Sequence, residues 1–149
     1  KTIPGWRKLD KYAVRTGGGE NHRMNLADGV LIKDNHITIM KSLGLTVSDA
    51  VRLALKQVAP TFKVEIEVET FEEAREALEA EAPIILLDNM SLEEMHRVVQ
   101  LVNGQALLEA SGGVDLKSVR AIAETGVDFI SVGSLTHSAN AIDISLDLN

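Results

Sequence analysis

The chain has 149 residues, and its 45% hydrophobic and 25% charged content is ordinary for a globular protein with a buried core. Its net charge of −7 argues against broad electrostatic binding to nucleic acid or to anionic membranes. The sequence has no cysteine, which excludes disulfides, thiolate metal sites and a cysteine nucleophile. We therefore expect a soluble, cytoplasmic protein of one domain over residues 1–149, with no membrane segment.

The N-terminal half contains three predicted helices and two predicted strands. A helix from Pro4 to Thr16, with proline in its first turn, ends before glycine. GVLI predicts a strand at residues 29–32, a second helix follows at 46–59, and FKVEIEV predicts a strand at 62–68. FEEAREALEA predicts a third helix at 71–80, since Thr70 and Glu73 have the spacing of a capping box.

The C-terminal half continues the same alternation. IILL predicts a strand at residues 84–87, and the following helix has a capping box of Ser91 and Glu94 and ends at Gly104. ALL predicts a strand at 106–108, DLKSVRAIAET a helix at 115–125, and VDFISV a strand at 127–132. This alternation predicts a parallel sheet, because parallel strands are joined by crossover helices.

Two α/β architectures satisfy this pattern: an open doubly wound sheet and an incomplete or open (β/α) barrel of parallel strands. The segment FKVEIEV favours the barrel, because its alternation puts Glu65, Glu67 and Glu69 on one face. A parallel strand is normally apolar on both faces. The carboxylates therefore indicate either a polar barrel interior or an exposed sheet edge.

Polar residues follow the predicted strands, where parallel α/β proteins place their sites. These strand ends are residues 33–36, 67–69, 88–89, 109–113 and 131–134. Two of them have the backbone amides and hydroxyls that can hold a phosphate, namely Ser111, Gly112 and Gly113, and Val132, Gly133 and Ser134. We expect the phosphate site there, since the last two loops of a barrel are its usual place.

Glu67 and Asp88 end neighbouring predicted strands and form a candidate acidic pair. Two carboxylates suit either Mg²⁺ with part of its water shell or the hydroxyls of a ribose. The alternative is a structural salt bridge to Lys33 or Lys1.

Basic residues gather near the beginning of the chain. Residues 1–41 hold eight Lys or Arg against four acidic residues, a net charge of +4, so the remainder has −11. Within TGGGENHRMNLADGVLIKDNH, residues 16–36, His22, Arg23 and Lys33 flank the first strand. A planar guanidinium and a mobile ammonium together suit a dianionic small molecule. A solvated basic helix and a surface histidine are the alternatives.

Four segments strongly resemble the catalytic domain of the quinolinate phosphoribosyltransferase family. They are residues 1–37, LLDNM, LEASGG and DFISVGSLTHSANAIDISLD. The resemblance runs through essentially the whole chain and implies a type II phosphoribosyltransferase barrel. It also implies a reaction in which quinolinate and phosphoribosyl pyrophosphate give nicotinate mononucleotide, pyrophosphate and carbon dioxide in NAD biosynthesis, with Mg²⁺.

The resemblance also implies residue roles. Lys1, His22, Arg23 and Lys33 are similar to the family's cationic quinolinate pocket, and Lys1, Glu67 and Asp88 to its catalytic groups. Glu67 and Asp88 resemble the pair that binds ribose hydroxyls and the metal, directly or through water. The 5′-phosphate cradle corresponds to Ser111, Gly112, Gly113, Val132, Gly133 and Ser134, with His137 close by.

Family members resemble a two-domain enzyme that forms a homodimer or a higher homo-oligomer, and this sequence starts inside the first βα unit of the barrel. We therefore expect a barrel portion without the family's N-terminal sandwich domain. Two alternatives stay open: a non-catalytic barrel fragment that binds a ligand or partner without turnover, and a related pyridine phosphoribosyltransferase.

Overall fold

The computed structural model describes residues 1–148, which group into two compact units. The larger unit spans residues 22–132 and contains the sheet. The smaller unit combines residues 1–21 with the chain from residue 133 onward and contains two helices. One domain over residues 1–149 stays a prediction, since a compact unit is not by itself an independently folding domain.

The smaller unit contains α1 (Arg7–Thr16) and α7 (Ser134–His137), which pack against each other. The larger unit alternates strands and helices. Its elements are β1 (Val30–Ile32), α2 (Asp34–Ser42), α3 (Val47–Gln57), β2 (Val64–Val68), α4 (Phe71–Glu79), β3 (Ile84–Asp88), α5 (Leu92–Val102), β4 (Leu107–Ser111), α6 (Val119–Glu124) and β5 (Phe129–Ile130).

The five strands form one parallel sheet in the order β1-β2-β3-β4-β5. A doubly wound sheet reverses its strand order at a switch point, so the doubly wound alternative is wrong. The sheet is not closed within residues 1–148, which confirms the open (β/α) barrel. Because β2 lies between β1 and β3, its carboxylates are not on a sheet edge.

The core lies between the sheet and the helices of the larger unit. Apolar residues of the two central strands are fully buried, among them Val64, Ile66, Ile85 and Leu87. Burial of each such side chain contributes about 1.5–3 kcal/mol. Consecutive helices from α2 to α6 pack side by side in the same order as the strands.

The two predicted capping boxes have different outcomes. At α5 the Ser91 and Glu94 side chains each accept the other's backbone N–H, which confirms the box. At α4 only the Thr70 half forms. The Glu73 carboxylate accepts the Glu69 backbone N–H at 3.0 Å and pairs with Lys41 at 2.7 Å, so the reciprocal bond was a wrong prediction.

Two helices differ from the sequence prediction. α1 begins at Arg7 rather than Pro4, because Gly5 has a φ of +78°, outside the helical region. α2 was not predicted, since its polar first turn was interpreted only as a strand end. Its N-terminus is closed by the imidazole of His36, whose Nδ1 accepts the Lys33 backbone N–H at 2.9 Å. No helix within residues 1–148 has the length and apolar character needed to cross a membrane.

Candidate active site

Predicted site residues lie together at the carboxyl ends of the first four strands. Lys33 directly follows β1, Glu67 lies in the last part of β2, and Asp88 and Ser111 are the last residues of β3 and β4. Asp88 and Ser111 are register partners across the two strands. Because all strands are parallel, these residues lie at the same end of the sheet, the carboxyl end, where α/β proteins bind their ligands.

Lys33 and Glu67 form an ion pair of 3.1 Å between Nζ and Oε2. The Lys33 side chain is 49% exposed, whereas that of Glu67 is 12% exposed. This is the salt bridge that the sequence left open as an alternative, and it lies at the carboxyl ends of β1 and β2. A ligand carboxylate that approaches Lys33 competes with Glu67 for its ammonium.

The ends of β3 and β4 are joined through Asn89, which has a φ of +53°. Its backbone N–H donates to the Ser111 carbonyl at 2.9 Å, and its side-chain amide donates to Asp88 Oδ2 at 2.8 Å. A Cβ at Gly112 would lie only 2.9 Å from the Asn89 backbone nitrogen. Gly112 and Gly113 have φ values of +93° and +60°, so this turn requires glycine and exposes backbone rather than side chain.

His22 lies at the start of the larger unit, with a side chain that is 36% exposed. Its Nε2 is 3.0 Å from Glu65 Oε2, and its Nδ1 accepts the Arg23 backbone N–H at 2.8 Å. The hydrogen bond to Glu65 raises the pKa of His22, an effect that burial opposes. The sequence reasoning did not assign a partner to this histidine.

Glu65 and Glu109 are buried carboxyl groups beside His22, at 6% and 8% exposure. Burial raises the pKa of Glu109, and the Ser131 hydroxyl, which donates a short hydrogen bond to its Oε1, opposes that shift. Glu65 Oε1 is buried without a hydrogen-bond partner. The sequence predicted no role for either residue, although residues 109–113 were among the strand ends and the alternation in VEIEV put Glu65 on the Glu67 face.

These three residues also form the group of metal-ligating side chains that the structure brings together within residues 1–148. Donor atoms of His22, Glu65 and Glu109 lie within 4.8 Å of one another. One imidazole and two carboxylates are ligands that suit divalent transition metals.

Arg23 is held in a structured loop that precedes β1. Its Nη1 donates to the Gly29 carbonyl at 3.0 Å. The Asp28 carboxylate accepts the backbone N–H groups of Met24 and Asn25 at 2.7 and 3.1 Å, which closes the loop. His22, Arg23 and Lys33 thus all belong to the larger unit, on the two sides of β1.

The remaining predicted residues belong to the smaller unit, apart from Val132, which ends the larger one. Lys1 and His137 are exposed. Gly133 is close to His137, since a Cβ there would lie 2.9 Å from its Nε2, and His137 Nδ1 is 2.7 Å from Ser138 Oγ. The assignment of four residues of this unit to the site stays a prediction: Lys1, Gly133, Ser134 and His137.

Residues 1–147 match the family model described as "Quinolinate phosphoribosyl transferase, C-terminal domain". The chain belongs to the quinolinate phosphoribosyl transferase family. The resemblance inferred from the residues is thereby confirmed.

Relatives in the quinolinate phosphoribosyl transferase family cover nearly the whole chain. It is 44% identical to the "Probable nicotinate-nucleotide pyrophosphorylase [carboxylating]" of Bacillus subtilis over 99% of this chain and 50% of that protein. It is 43% identical to the "Quinolinate phosphoribosyltransferase [decarboxylating] 2, mitochondrial" of Nicotiana glauca over 100% of this chain and 46% of that protein.

A solved structure agrees. The nicotinate-nucleotide pyrophosphorylase from Francisella tularensis superposes with a TM-score of 0.85 at 46% identity, over 97% of this chain and 49% of that one. The chain spans about half the length of the curated relatives it matches.

Proposed function

We propose that the full-length protein containing this chain transfers a phosphoribosyl group from phosphoribosyl pyrophosphate to quinolinate, with decarboxylation. The products are nicotinate mononucleotide, pyrophosphate and carbon dioxide, a reaction of NAD biosynthesis. The observation that carries the proposal is that four adjacent parallel strands bring Lys33, Glu67, Asp88 and Ser111 to their carboxyl ends. Relatives that bear the name of this activity, such as the Nicotiana glauca protein, support it.

The quinolinate site is assigned to the basic residues His22, Arg23 and Lys33, with Lys1. Arg23 offers a guanidinium that can bind a carboxylate bidentately, and Lys33 offers a point charge. Both cations are already held by acceptors of the chain, the Gly29 carbonyl and the Glu67 carboxylate. To bind Arg23 and Lys33, quinolinate therefore has to replace the Gly29 carbonyl and the Glu67 carboxylate as their acceptors.

The phosphoribosyl donor is assigned to Glu67 and Asp88 for the ribose hydroxyls and to the turn at Gly112 and Gly113 for the 5′-phosphate. The turn suits a phosphate because successive backbone N–H groups in a glycine turn can bind an anion, and both glycines have a positive φ. Val132, Gly133, Ser134 and His137 are the proposed remainder of the cradle.

The same two carboxylates fit Mg²⁺, because they are hard oxygen donors, neither fully buried, at the strand ends. The ion would be held by Glu67 and Asp88, directly or through water, and would supply positive charge that neutralises the pyrophosphate.

Residues of the chain stabilise the charges that develop on the ribose and on pyrophosphate during the transfer. The bond between C1 of the ribose and the pyrophosphate oxygen breaks, and pyrophosphate departs with the electron pair. The carboxylates of Glu67 and Asp88 stabilise the positive charge on the ribose, and Lys1 the charge on pyrophosphate. The quinolinate nitrogen then forms the new bond to C1. The adjacent carboxylate leaves as carbon dioxide, the positive ring nitrogen stabilises the carbanion, and a solvent proton completes the product.

A homodimer or higher homo-oligomer and a cytoplasmic location are further parts of the proposal. Neither depends on the geometry of the sheet edge. The family contains proteins named as mitochondrial, such as that of Nicotiana glauca, so the compartment is to be determined by imaging the tagged full-length protein.

The test is pyrophosphate release by the full-length protein in the presence of quinolinate, phosphoribosyl pyrophosphate and Mg²⁺. We expect release that requires all three, and absence of release would refute the proposed activity. Nicotinate in place of quinolinate separates the related pyridine transferases, because turnover with nicotinate alone would assign the protein to them. Binding of phosphoribosyl pyrophosphate without turnover would support a non-catalytic binding protein.

A further inference from the structure

Asn89 lies between β3 and α5 and has a left-handed backbone, with a φ of +53°. Residues other than glycine rarely adopt this conformation, and asparagine is one of the few that tolerate it. Asn103 has the same conformation at the end of α5, with a φ of +44°. Glycine can therefore replace either asparagine without forcing the backbone into a new conformation.

The side chain of Asn89 holds one oxygen of a carboxylate that is assigned to the phosphoribosyl donor. Its Nδ2 donates to Asp88 Oδ2 at 2.8 Å, and the Asp88 residue is half-buried. An amide is a neutral donor, so the carboxylate keeps its negative charge. Glu67 differs in this respect, because it is paired with the Lys33 ammonium at 3.1 Å.

The same asparagine joins β3 to the glycine turn after β4. Its backbone N–H donates to the Ser111 carbonyl at 2.9 Å. Its side chain also fills the space beside Gly112, since a Cβ on that glycine would lie 2.5 Å from Asn89 Cγ and 2.9 Å from its backbone nitrogen. The amide therefore lies between the Asp88 carboxylate and the turn at Gly112 and Gly113.

We propose that Asn89 is a positioning residue for the phosphoribosyl donor, because it holds the Asp88 carboxylate and the turn at Gly112 in a fixed relation. The inference rests on the proposed function, which assigns Asp88 to the ribose hydroxyls and the turn to the 5′-phosphate. A ribose 5-phosphate group reaches both, so both of its ends are bound only when the two sites keep their separation. The neutral amide orients Asp88 and leaves it the charge that stabilises the positive ribose.

The deciding experiment compares Asn89→Gly with Asn103→Gly in the full-length protein, by calorimetric titration with phosphoribosyl pyrophosphate and Mg²⁺. Glycine keeps the left-handed backbone and the backbone N–H, so each variant loses only its side chain. We expect Asn89→Gly to weaken binding about tenfold, the effect of losing one hydrogen bond to a charged group. Asn103→Gly should bind like the parent. Quinolinate affinity should be unchanged in both variants, because the contacts of Asn89 are with Asp88 and the turn.

A double-mutant cycle with Asp88→Asn shows whether Asn89 acts through Asp88. The affinity for phosphoribosyl pyrophosphate is measured in the parent, in both single variants and in the double variant. Asn89→Gly should cost about tenfold in the parent and clearly less in the Asp88→Asn background, since residues in one hydrogen-bond network are coupled. Equal factors in the two backgrounds would overturn the proposed role, and a purely structural asparagine would give this result.

Asn89→Asp is a second variant, which retains the shape of the side chain and a tolerance of the left-handed backbone. An ionised carboxylate only accepts hydrogen bonds, so it cannot hold Asp88. We expect weaker binding of phosphoribosyl pyrophosphate than in Asn89→Gly, because two adjacent carboxylates repel its phosphates. Binding as tight as in the parent would overturn the inference, also if Asn89→Gly does not fold.

The possible failures are distinguishable. Absence of phosphoribosyl pyrophosphate binding by the parent would refute the proposed function and this inference with it. Parent-like binding in Asn89→Gly, or an equal loss in Asn103→Gly, would leave that function standing and overturn the role of Asn89. An equal loss of quinolinate affinity in Asn89→Gly would do the same, because it would show a general disturbance of the site.

Discussion

At the scale of single residues, Arg23 joins the structure of its loop to the proposed substrate. Its Nη1 donates to the Gly29 carbonyl at 3.0 Å, so the guanidinium is held at the start of β1. Hydrogen bonds to charged groups are worth about 1.5–3 kcal/mol, which corresponds to roughly 10- to 100-fold in affinity. We predict that Arg23→Ala weakens quinolinate binding by this factor and leaves phosphoribosyl pyrophosphate binding nearly unchanged, as measured by calorimetry on the full-length protein.

Arg120→Ala is the matched control, because the Arg120 side chain is 87% exposed on α6 and its nearest acid, Glu124, is 3.8 Å away. It should bind both substrates like the parent. An unchanged quinolinate affinity in Arg23→Ala would remove Arg23 from the pocket.

A second prediction at the scale of single residues concerns Gly112. Alanine at its φ of +93° costs about 1–2 kcal/mol for the backbone alone, and its Cβ would also lie 2.9 Å from the Asn89 backbone nitrogen. Gly104, with a φ of +76° and open space around it, carries only the first cost. We predict that Gly112→Ala lowers the unfolding temperature more than Gly104→Ala and that Gly112→Ala alone weakens phosphoribosyl pyrophosphate binding.

The comparison separates backbone strain from the site. Equal losses of stability in the two variants would mean that the turn at Gly112 accommodates a side chain. Undiminished donor binding in a folded Gly112→Ala protein would contradict the phosphate assignment.

At the scale of elements, the capping box of α5 makes stability depend on pH. Hydrogen bonds from the Ser91 side chain and backbone lower the pKa of Glu94 below its usual 4.5. A lowered pKa stabilises the folded state above pH 4.5, and that stabilisation is lost as the pH falls through the folded-state pKa. We predict that Ser91→Ala costs about 1 kcal/mol at pH 7. The cost should be smaller once the pH falls below the folded-state pKa of Glu94, as measured by hydrogen exchange of the α5 amides.

Thr70→Ala is the matched comparison, because Thr70 caps α4 without a reciprocal bond from Glu73 to its backbone. Its cost should change less with pH. A pH dependence equal to that of Ser91→Ala would show that the Glu94 carboxylate is not the cause.

The elements that local pattern specifies were predictable. Strand β2 alternates apolar and acidic residues, β3 is a short apolar run, and α5 has a capping box at one end and left-handed Asn103 and Gly104 at the other. α2 was not predictable from such patterns, since His36 takes the role that glutamate usually has in a capping box. The ion pair of Glu73 was not predictable either, because its partner Lys41 is distant in the sequence.

At the scale of the whole molecule, strand order explains which site residues sequence reasoning could find. Lys33, Glu67, Asp88 and Ser111 stand at strand ends, and the parallel order collects them at one edge. No role was predicted for Glu65 and Glu109, because their contacts join residues that are distant in the sequence, His22 with Glu65 and Ser131 with Glu109.

The proposed reaction predicts which carboxylate of quinolinate is released as carbon dioxide, and no partial activity of the protein would give the same result. Carbon dioxide has to come from the carboxylate next to the ring nitrogen, because only that carbanion lies beside the quaternised nitrogen. The measurement is turnover by the full-length protein of quinolinate labelled with ¹³C in that carboxylate, with phosphoribosyl pyrophosphate and Mg²⁺. We predict one labelled carbon dioxide for each pyrophosphate released and no label in the mononucleotide. Label retained in the mononucleotide, or pyrophosphate released without labelled carbon dioxide, would contradict the account.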